Sequence, residues 1–203
     1  QILMVQSTPT TGKAMSPLRA ICIWGSESST AKHGITKHAK DWKGRSGVNF
    51  TVDVMSGNEA AGLGFAVLKE RYDVMLIATS SYGDGEAPGG YERFFKVLMD
   101  SANSESKPLE GMQHAVLGYG DTCYWETFQN VPRLSDKFLG ECGSRRFVQR
   151  AELDASSDDS GDKDYKHWGE TVFAALQKGL PAADSESVCD WTVPAGSIKM
   201  ESV

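Results

Sequence analysis

The chain has 203 residues, 40% of them hydrophobic and 24% charged, with a formal net charge of -6 at pH 7. This is the composition of a globular domain; the acidic balance argues against a nucleic-acid-binding surface, and no apolar run reaches the roughly 20 residues of a membrane span. Cys22, Cys123, Cys142 and Cys189 are far apart without a C-x-x-C pair, and His33, His38, His114 and His167 show no metal-ligand spacing. Neither a disulfide framework nor a metal site is predicted, and a reducing, cytoplasmic compartment is expected.

The chain opens on Gln1 and reads as a segment of a longer polypeptide, at the cytosolic face of a membrane if its parent is anchored. Residues 1–17, rich in Ser, Thr, Pro and Gly, predict a tail or linker. The "TTGK" among them lacks the first glycine and the closing Ser or Thr of a phosphate loop. "LRAICIW" (18–24) predicts a strand, "AKHGITKHAKDW" (31–42) a helix, and "VNFTVDV" (48–54) an alternating strand. "NEAAGLGFAVLKER" (58–71) predicts a helix, "YDVMLIAT" (72–79) a strand buried on both faces, and "YERFFKVLMDSA" (91–102) a helix. "MQHAVLGYG" (112–120) is the next strand, "FQNVPRLSDKFLGEC" (128–142) a helix, "RRFVQR" (145–150) a last strand and "DYKHWGETVFAALQK" (164–178) a last helix. Strands alternating with helices require parallel crossovers, and all-apolar strands require cover on both sides. The expected fold is α/β, a doubly wound parallel sheet of five strands with helices on both faces, forming one domain over 18–180. Residues 181–203 lose periodicity and predict a second tail or linker.

Open sheets of this kind bind ligands outside the carboxyl ends of their strands. Three loops leave those ends: "GSESSTAK", "SSYGDGEAPGG" and "GYGDTCYWETF". The first offers Ser26, Ser28, Ser29 and Thr30 where a helix begins, which suits a phosphate and equally suits an ordinary serine-rich cap. No lysine or arginine precedes Lys32, so neutral donors carry most of the anion binding there. The other two loops carry aromatics: Tyr82 in one, and Tyr119, Tyr124, Trp125 and Phe128 in the other. Two flat side chains at one sheet edge suit a planar ring, with stacking worth about 0.5–1.5 kcal/mol per pair beyond burial. Gly83, Gly85 and Gly120 let backbone amides approach such a ring. A phosphate pocket beside an aromatic slot describes a flavin mononucleotide site.

On these three blocks, and on "DKFLGECGSRRFVQRAELD" after them, the sequence resembles the flavodoxin-like FMN-binding domain of the diflavin reductases: the microsomal reductase, the nitric oxide synthase reductase region and the sulfite reductase flavoprotein. The resemblance implies that Ser26, Glu27, Ser28, Ser29, Thr30 and Ala31 hold the FMN phosphate. It implies that Ser80, Ser81, Tyr82 and Gly83, continued by Asp84 and Gly85, line the dimethylbenzene and N5 side. Leu117, Gly118, Tyr119, Gly120, Asp121, Tyr124, Trp125 and Phe128 form the other wall, with Tyr82 and Tyr124 on opposite ring faces and Asp154 as an acidic neighbour. The function it implies is an oxidoreductase's electron carrier. An FAD/NADPH-binding reductase module, in the same chain or another, donates electrons, and a basic redox acceptor protein takes them. Carboxylates near the rim (Asp84, Glu86, Asp121, Glu126, Asp154, Asp158, Asp159) attract such a partner and disfavour extra negative charge on the flavin.

Three departures from the family pattern stand out. Ser29 replaces the usual glycine, at a cost of about 1–2 kcal/mol if the position is left-handed. The turn after Tyr82 is one residue longer before its proline. Phe128 lies one residue further from Tyr124, a spacing similar to the flavodoxin domain of the wybutosine-synthesis radical-SAM proteins. Three further readings stay open: the flavodoxin domain of such a radical-SAM protein, a flavodoxin-like binding module with weak or lost FMN, for which Ser29 speaks, and a free-standing quinone reductase, for whose nicotinamide donor the chain has no G-x-G-x-x-G after a strand.

Overall fold

In the computed structural model, which describes residues 16–180, the sheet is parallel with order β2-β1-β3-β4-β5. Its elements are β1 (Leu18–Trp24), α1 (Thr30–Lys43), β2 (Phe50–Ser56), α2 (Gly57–Arg71), β3 (Val74–Ser80), α3 (Glu92–Ala102), β4 (Gln113–Gly120), α4 (Asn130–Glu141), β5 (Arg145–Arg146), β6 (Ala151–Asp154) and α5 (Asp162–Lys178). The expected tails lie outside the described residues except for Ser16 and Pro17, and Cys189 falls with them. Cys22, Cys123 and Cys142 are unpaired thiols. Among the described residues no helix is long and apolar enough to cross a membrane.

The period-2 pattern of β1 explains its two core layers. Ala20 and Cys22 face one side and pack with Ile35, Trp42, Trp168 and Val172 of α1 and α5. Ile21 and Ile23 face the other and pack with Leu68, Phe94, Leu98 and Phe138 of α2, α3 and α4. Both faces of β1 and β3 are therefore closed, and the strand ends are what remains for a ligand. Helix α2 starts on a capping box: Ser56 Oγ accepts the Glu59 N–H at 3.2 Å, and Glu59 Oε2 accepts the Ser56 N–H at 2.7 Å. The helix expected to run unbroken over 58–71 is interrupted at Gly64, whose φ of 76° and ψ of 160° are not helical.

The last strand differs most from expectation. Instead of one strand over 145–150, β5 and β6 pair separately with β4, at Gln113–His114 and Leu117–Gly120. The cause is a buried charge. Asp136 of α4 is fully buried and accepts Arg146 Nε at 2.9 Å and Arg150 Nη1 at 2.5 Å. Both guanidinium groups converge on one carboxylate where residues 148–150 leave the ladder, while the Phe147 N–H still reaches His114 O at 3.1 Å. His114 Nε2 lies 3.0 Å from the same carboxylate, and its Nδ1 lies 2.8 Å from Ser144 Oγ. Burial pushes the imidazole pKa down further than Asp136 raises it, so His114 is neutral at pH 7. Burial pushes Asp136 up, yet the interactions with His114 first and then Arg146 hold its carboxyl below the ordinary carboxylate range. Arg150 continues to Glu152 at 2.7 Å, which also pairs with Arg133 at 2.6 Å.

Removing one partner from a buried network strands the others. Asp136→Ala is expected to lose about 3–5 kcal/mol of unfolding free energy, measured by urea denaturation at pH 7. Because the folded pKa of Asp136 is depressed, its contribution is present above the unfolded carboxylate pKa and is lost as pH falls through the folded value. The gap between wild type and variant should therefore narrow in acid.

Candidate functional site

Register brings three loop exits to one edge. Trp24 pairs with Ala78, and Ser80 with Tyr119, so β1, β3 and β4 end within a few residues of one another and their loops must meet. The first loop is tied to the second by Ser26 N–H to Gly89 O at 3.0 Å and by Gly89 N–H to Glu27 Oε2 at 2.7 Å. Ser29, the N-cap of α1, is left-handed with φ 67° and makes no side-chain cap. Ser26 Oγ accepts the Ala31 N–H at 3.2 Å, and the Ser28 and Thr30 hydroxyls lie 3.0 Å apart. Capping and ligand binding thus share this loop: the buried Ser26 serves the helix, while Ser28 and Thr30 are exposed.

The second loop folds back on itself, with Tyr82 N–H to Glu86 O at 3.0 Å and Glu86 N–H to Tyr82 O at 2.8 Å. Gly83 (φ 53°) and Gly85 (φ 105°) supply the left-handed residues of that turn. Ser81 Oγ accepts the Val131 N–H of α4 at 3.1 Å, which fixes this loop against the third. In the third loop a 3₁₀ turn, Thr122–Tyr124, is braced by two carboxylates. Asp121 Oδ1 accepts Cys123 N–H at 2.8 Å and Ser156 Oγ–H at 2.5 Å. Asp154 Oδ1 accepts Thr122 N–H at 3.0 Å, and its Oδ2 accepts the Thr122 hydroxyl at 2.8 Å. These hydrogen bonds, from Ser156 first for Asp121 and from the Thr122 backbone first for Asp154, hold both carboxyl groups below the usual range.

Between the loops lies a cavity of about 820 Å³, adjoined by a second of about 320 Å³. Tyr82 and Tyr124, 55% and 71% exposed, line both, as do Ser81, Tyr119, Gly120 and Asp121. Of the expected residues, Ser26, Glu27, Ser28, Thr30, Ala31 and Ser80 line the larger cavity, and Gly83 and Phe128 line the smaller. Seven do not line either. Leu117 is buried in β4, Gly118 lies under Gln129 and Pro132, and Gly85 lies against Asn130. Asp84 is turned within its own loop by its N–H to Glu86 Oε2. Asp154 is spent on Thr122, Trp125 points outward at 76% exposure, and Ser29 contributes backbone shape only. Gly120 is also a packing glycine: a Cβ there would sit 2.8 Å from the Phe128 ring.

The structure adds residues that the loop blocks did not indicate. His33, Gly34 and Lys37 of α1 and Tyr165 of α5 line the larger cavity. Their spacing with Thr30 on one helical face was the available signal. Gly34 is small because Tyr119 presses on it: a Cβ there would collide with the Tyr119 hydroxyl, a buried group with no hydrogen-bond partner. Gln129, left-handed at φ 60° and fully buried, reaches from the start of α4 to Leu153 O at 3.0 Å and floors the smaller cavity. Among the described residues no group of three acidic, histidine or cysteine side chains is placed to hold a metal.

Comparison with known proteins places this architecture. The flavodoxin family profile matches residues 24–168. The bifunctional cytochrome P450/NADPH–P450 reductase of Bacillus cereus is 31% identical over 176 residues, which is 87% of this chain and 15% of that protein. Its Bacillus subtilis counterpart is 32% identical over 160 residues, 79% of this chain and 14% of that protein. NADPH–cytochrome P450 reductase of Candida tropicalis is 27% identical over 168 residues, 82% of this chain and 23% of that protein. The chain therefore spans less than a quarter of the length of each of these relatives. A cysteine mutant of the flavodoxin from Pseudomonas aeruginosa superposes with a TM-score of 0.63 at 23% identity, covering 80% of this chain and all of that one. Oxidised flavodoxin 1 from Bacillus cereus gives 0.57 at 19%, covering 80% of this chain and 99% of that one. Both show the fold.

Ser29, like Gln129 and Ser160, is a left-handed non-glycine residue at the site. Serine in a left-handed conformation costs about 1–2 kcal/mol, part of which glycine returns through its freer unfolded chain. Ser29→Gly is expected to raise stability by about 1 kcal/mol, a Tm gain of about 2–4 °C, read by thermal denaturation.

Proposed function

Because the chain belongs to the flavodoxin family, whose members bind FMN at the β1/β3 switch point of this strand order, we propose that it is the FMN-carrying electron-transfer domain of an NADPH-dependent flavoprotein reductase. It would receive electrons from an FAD/NADPH module and deliver them to an acceptor protein with a basic surface. The observation that carries the reading is the pairing of Tyr82 with Tyr124. Both are exposed, both line the same two cavities, and both stand beside a hydroxyl-rich helix start. A soluble domain that exposes large aromatics at one mouth has a use for them.

The residues present fit the cofactor. The larger cavity falls within the roughly 300–1,000 Å³ of small-molecule sites. Its walls combine apolar ring faces with hydroxyls at a helix N-terminus, the donor set that a phosphorylated flavin requires. Bound FMN supplies the redox chemistry, taking and releasing electrons singly or in pairs. The chain's own part is binding and control of access. Thr30 and Ser28 offer hydroxyls and the start of α1 its dipole to the phosphate. Tyr82 and Tyr124 cover the ring. Asp121, at the cavity wall, and Asp154, outside it, hold the third loop rigid. The reading requires no side chain to move a proton, and none in the slot is an acid–base pair. The carboxylates of Asp84, Glu86 and Glu126 at the mouth favour a basic partner, with an encounter rate that falls as salt rises.

Flavin fluorescence tests the reading. Purified protein titrated with FMN should quench it at saturation. Tyr82→Ala is expected to weaken binding about tenfold, from lost stacking and burial together. Trp125→Ala, equally aromatic and equally close in sequence but outside both cavities, should leave the affinity within about twofold. No quenching by the wild-type protein, or equal losses in the two variants, would sink the assignment.

A further inference from the structure

Three large hydrophobic side chains are left exposed among the described residues: Tyr82, Tyr124 and Trp125. All three stand on the second and third loops, at one mouth. The tyrosines line the two cavities, whereas Trp125 lines neither. Trp125 is also the most exposed of the three, and its indole makes no ring contact or hydrogen bond among the described residues. A single apolar side chain on a surface is ordinary, but a tryptophan beside two tyrosines at a ligand mouth forms a patch.

The backbone beneath this indole is fixed. Trp125 closes the 3₁₀ turn with φ -53° and ψ -34°. Tyr124 N–H donates to Asp121 O at 3.0 Å on one side of it, and Thr127 N–H to Tyr124 O at 3.0 Å on the other. Tyr124 and Thr127 face the smaller cavity, while Trp125 and Glu126 between them are exposed. The second loop is fastened alongside: Asn130 Nδ2–H donates to Gly85 O at 3.1 Å, and Gly85 lies against Thr127. The turn carrying Asp84 and Glu86 therefore shares one surface with Trp125 and Glu126.

Charge on that surface has one sign. Residues 81–91 and 121–130 contain Asp84, Glu86, Asp121 and Glu126 and no lysine, arginine or histidine. Arg133, whose guanidinium stands 5.8 Å from the centre of the Phe128 ring, is paired with Glu152. An exposed indole bordered by carboxylates fits a protein whose apolar contact surface is bordered by lysines and arginines. Tryptophan suits such an anchor because its rigid ring buries a large area at little entropic cost.

We propose that Trp125 is the docking anchor for the electron acceptor, a cationic redox protein that seats the apolar rim of its own cofactor on the indole while Asp84, Glu86 and Glu126 meet its basic side chains. The proposal rests on the electron-transfer reading above and deepens it. The tyrosines hold the flavin, the carboxylates speed encounter, and Trp125 sets how long the partner stays.

Cytochrome c, a basic haem protein, serves as the probe. Calorimetric titration of the purified chain with ferricytochrome c, without flavin, should show binding that weakens as salt rises. Trp125→Ala is expected to weaken it about tenfold, and Trp125→Phe to recover most of that loss. Glu126→Gln should mainly lessen the salt dependence. With FMN bound and photoreduced, stopped-flow mixing follows one electron per cytochrome from the flavin to the ferric haem, which becomes ferrous. The cytochrome concentration for half-maximal rate should rise about tenfold in Trp125→Ala. Reduction of ferricyanide, a small anion that needs no docking surface, should keep its rate. No cytochrome binding by the wild-type chain, or equal binding by wild type and Trp125→Ala, would overturn the proposal. So would equal slowing toward cytochrome c and ferricyanide, which would mean that Trp125 acts on the flavin itself. A wild-type dimer that Trp125→Ala converts to monomer in sedimentation would overturn it too, since a second copy would then cover the patch. If the wild-type chain takes up no FMN, the flavin reading falls, and the calorimetric titration still decides whether Trp125 is a docking anchor.

Discussion

The in-register parallel pairing of β1, β3 and β4 is the constraint on which the rest of the molecule depends. Each strand is buried on both faces over most of its length, so side chains there serve packing and only the carboxyl ends, at Ser80, Tyr119 and Gly120, reach the cavity. Pairing Trp24 with Ala78 and Ser80 with Tyr119 ends three strands at one level. The loops that leave them have only each other to pack on, and their polar groups find partners across loop boundaries: Ser26 with Gly89, Glu27 with Gly89, and Ser81 with Val131. The cavity is what the loops leave unfilled.

Carboxylates do two different jobs at that edge. Asp121 and Asp154 accept hydrogen bonds from backbone and hydroxyl groups of the third loop and stiffen the segment that carries Tyr124. Asp84, Glu86 and Glu126 keep their charge at the surface of the mouth. The first pair is structural, although its sequence position alone suggests a role toward the ligand. A carboxylate that accepts several hydrogen bonds is a poor neighbour for an anion but a good clamp. A third carboxylate, Asp136, is far from the mouth and shapes it indirectly. By gathering Arg146 and Arg150 it breaks the last strand, and β6 then pairs beside Gly118–Gly120, where Asp154 can reach Thr122.

Small residues at this edge are there for the same reason of crowding. Gly34 yields to Tyr119, and Gly120 yields to Phe128. Where the backbone itself must turn left-handed the chain uses Gly83 and Gly85 in one loop but Ser29 in the other. The serine bears the torsional cost of the turn with no side-chain cap to offset it.

Much of this was legible in the sequence. The apolar runs at 18–24 and 74–80 and the amphipathic segments between them determine a parallel α/β sheet, because a strand buried on both faces must be apolar throughout and a covering helix must be apolar on one side only. The three loops were legible too, as glycine- and serine-rich stretches after apolar strands; that Tyr82 and Tyr124 stay exposed there while Tyr91, beside Gly90, is buried was decided by the tertiary structure. Tertiary structure alone decided which neighbours of those tyrosines reach the cavity. Trp125 and Tyr124 are adjacent in the chain, yet only Tyr124 lines it. Lys37 and Tyr165 are 128 positions apart and meet over it. The split of the last strand was hidden for the same reason: it depends on Arg146 and Arg150 meeting one buried carboxylate on another element. Periodicity records which side of an element is apolar, whereas such contacts depend on how elements are placed against each other, and no local pattern encodes that.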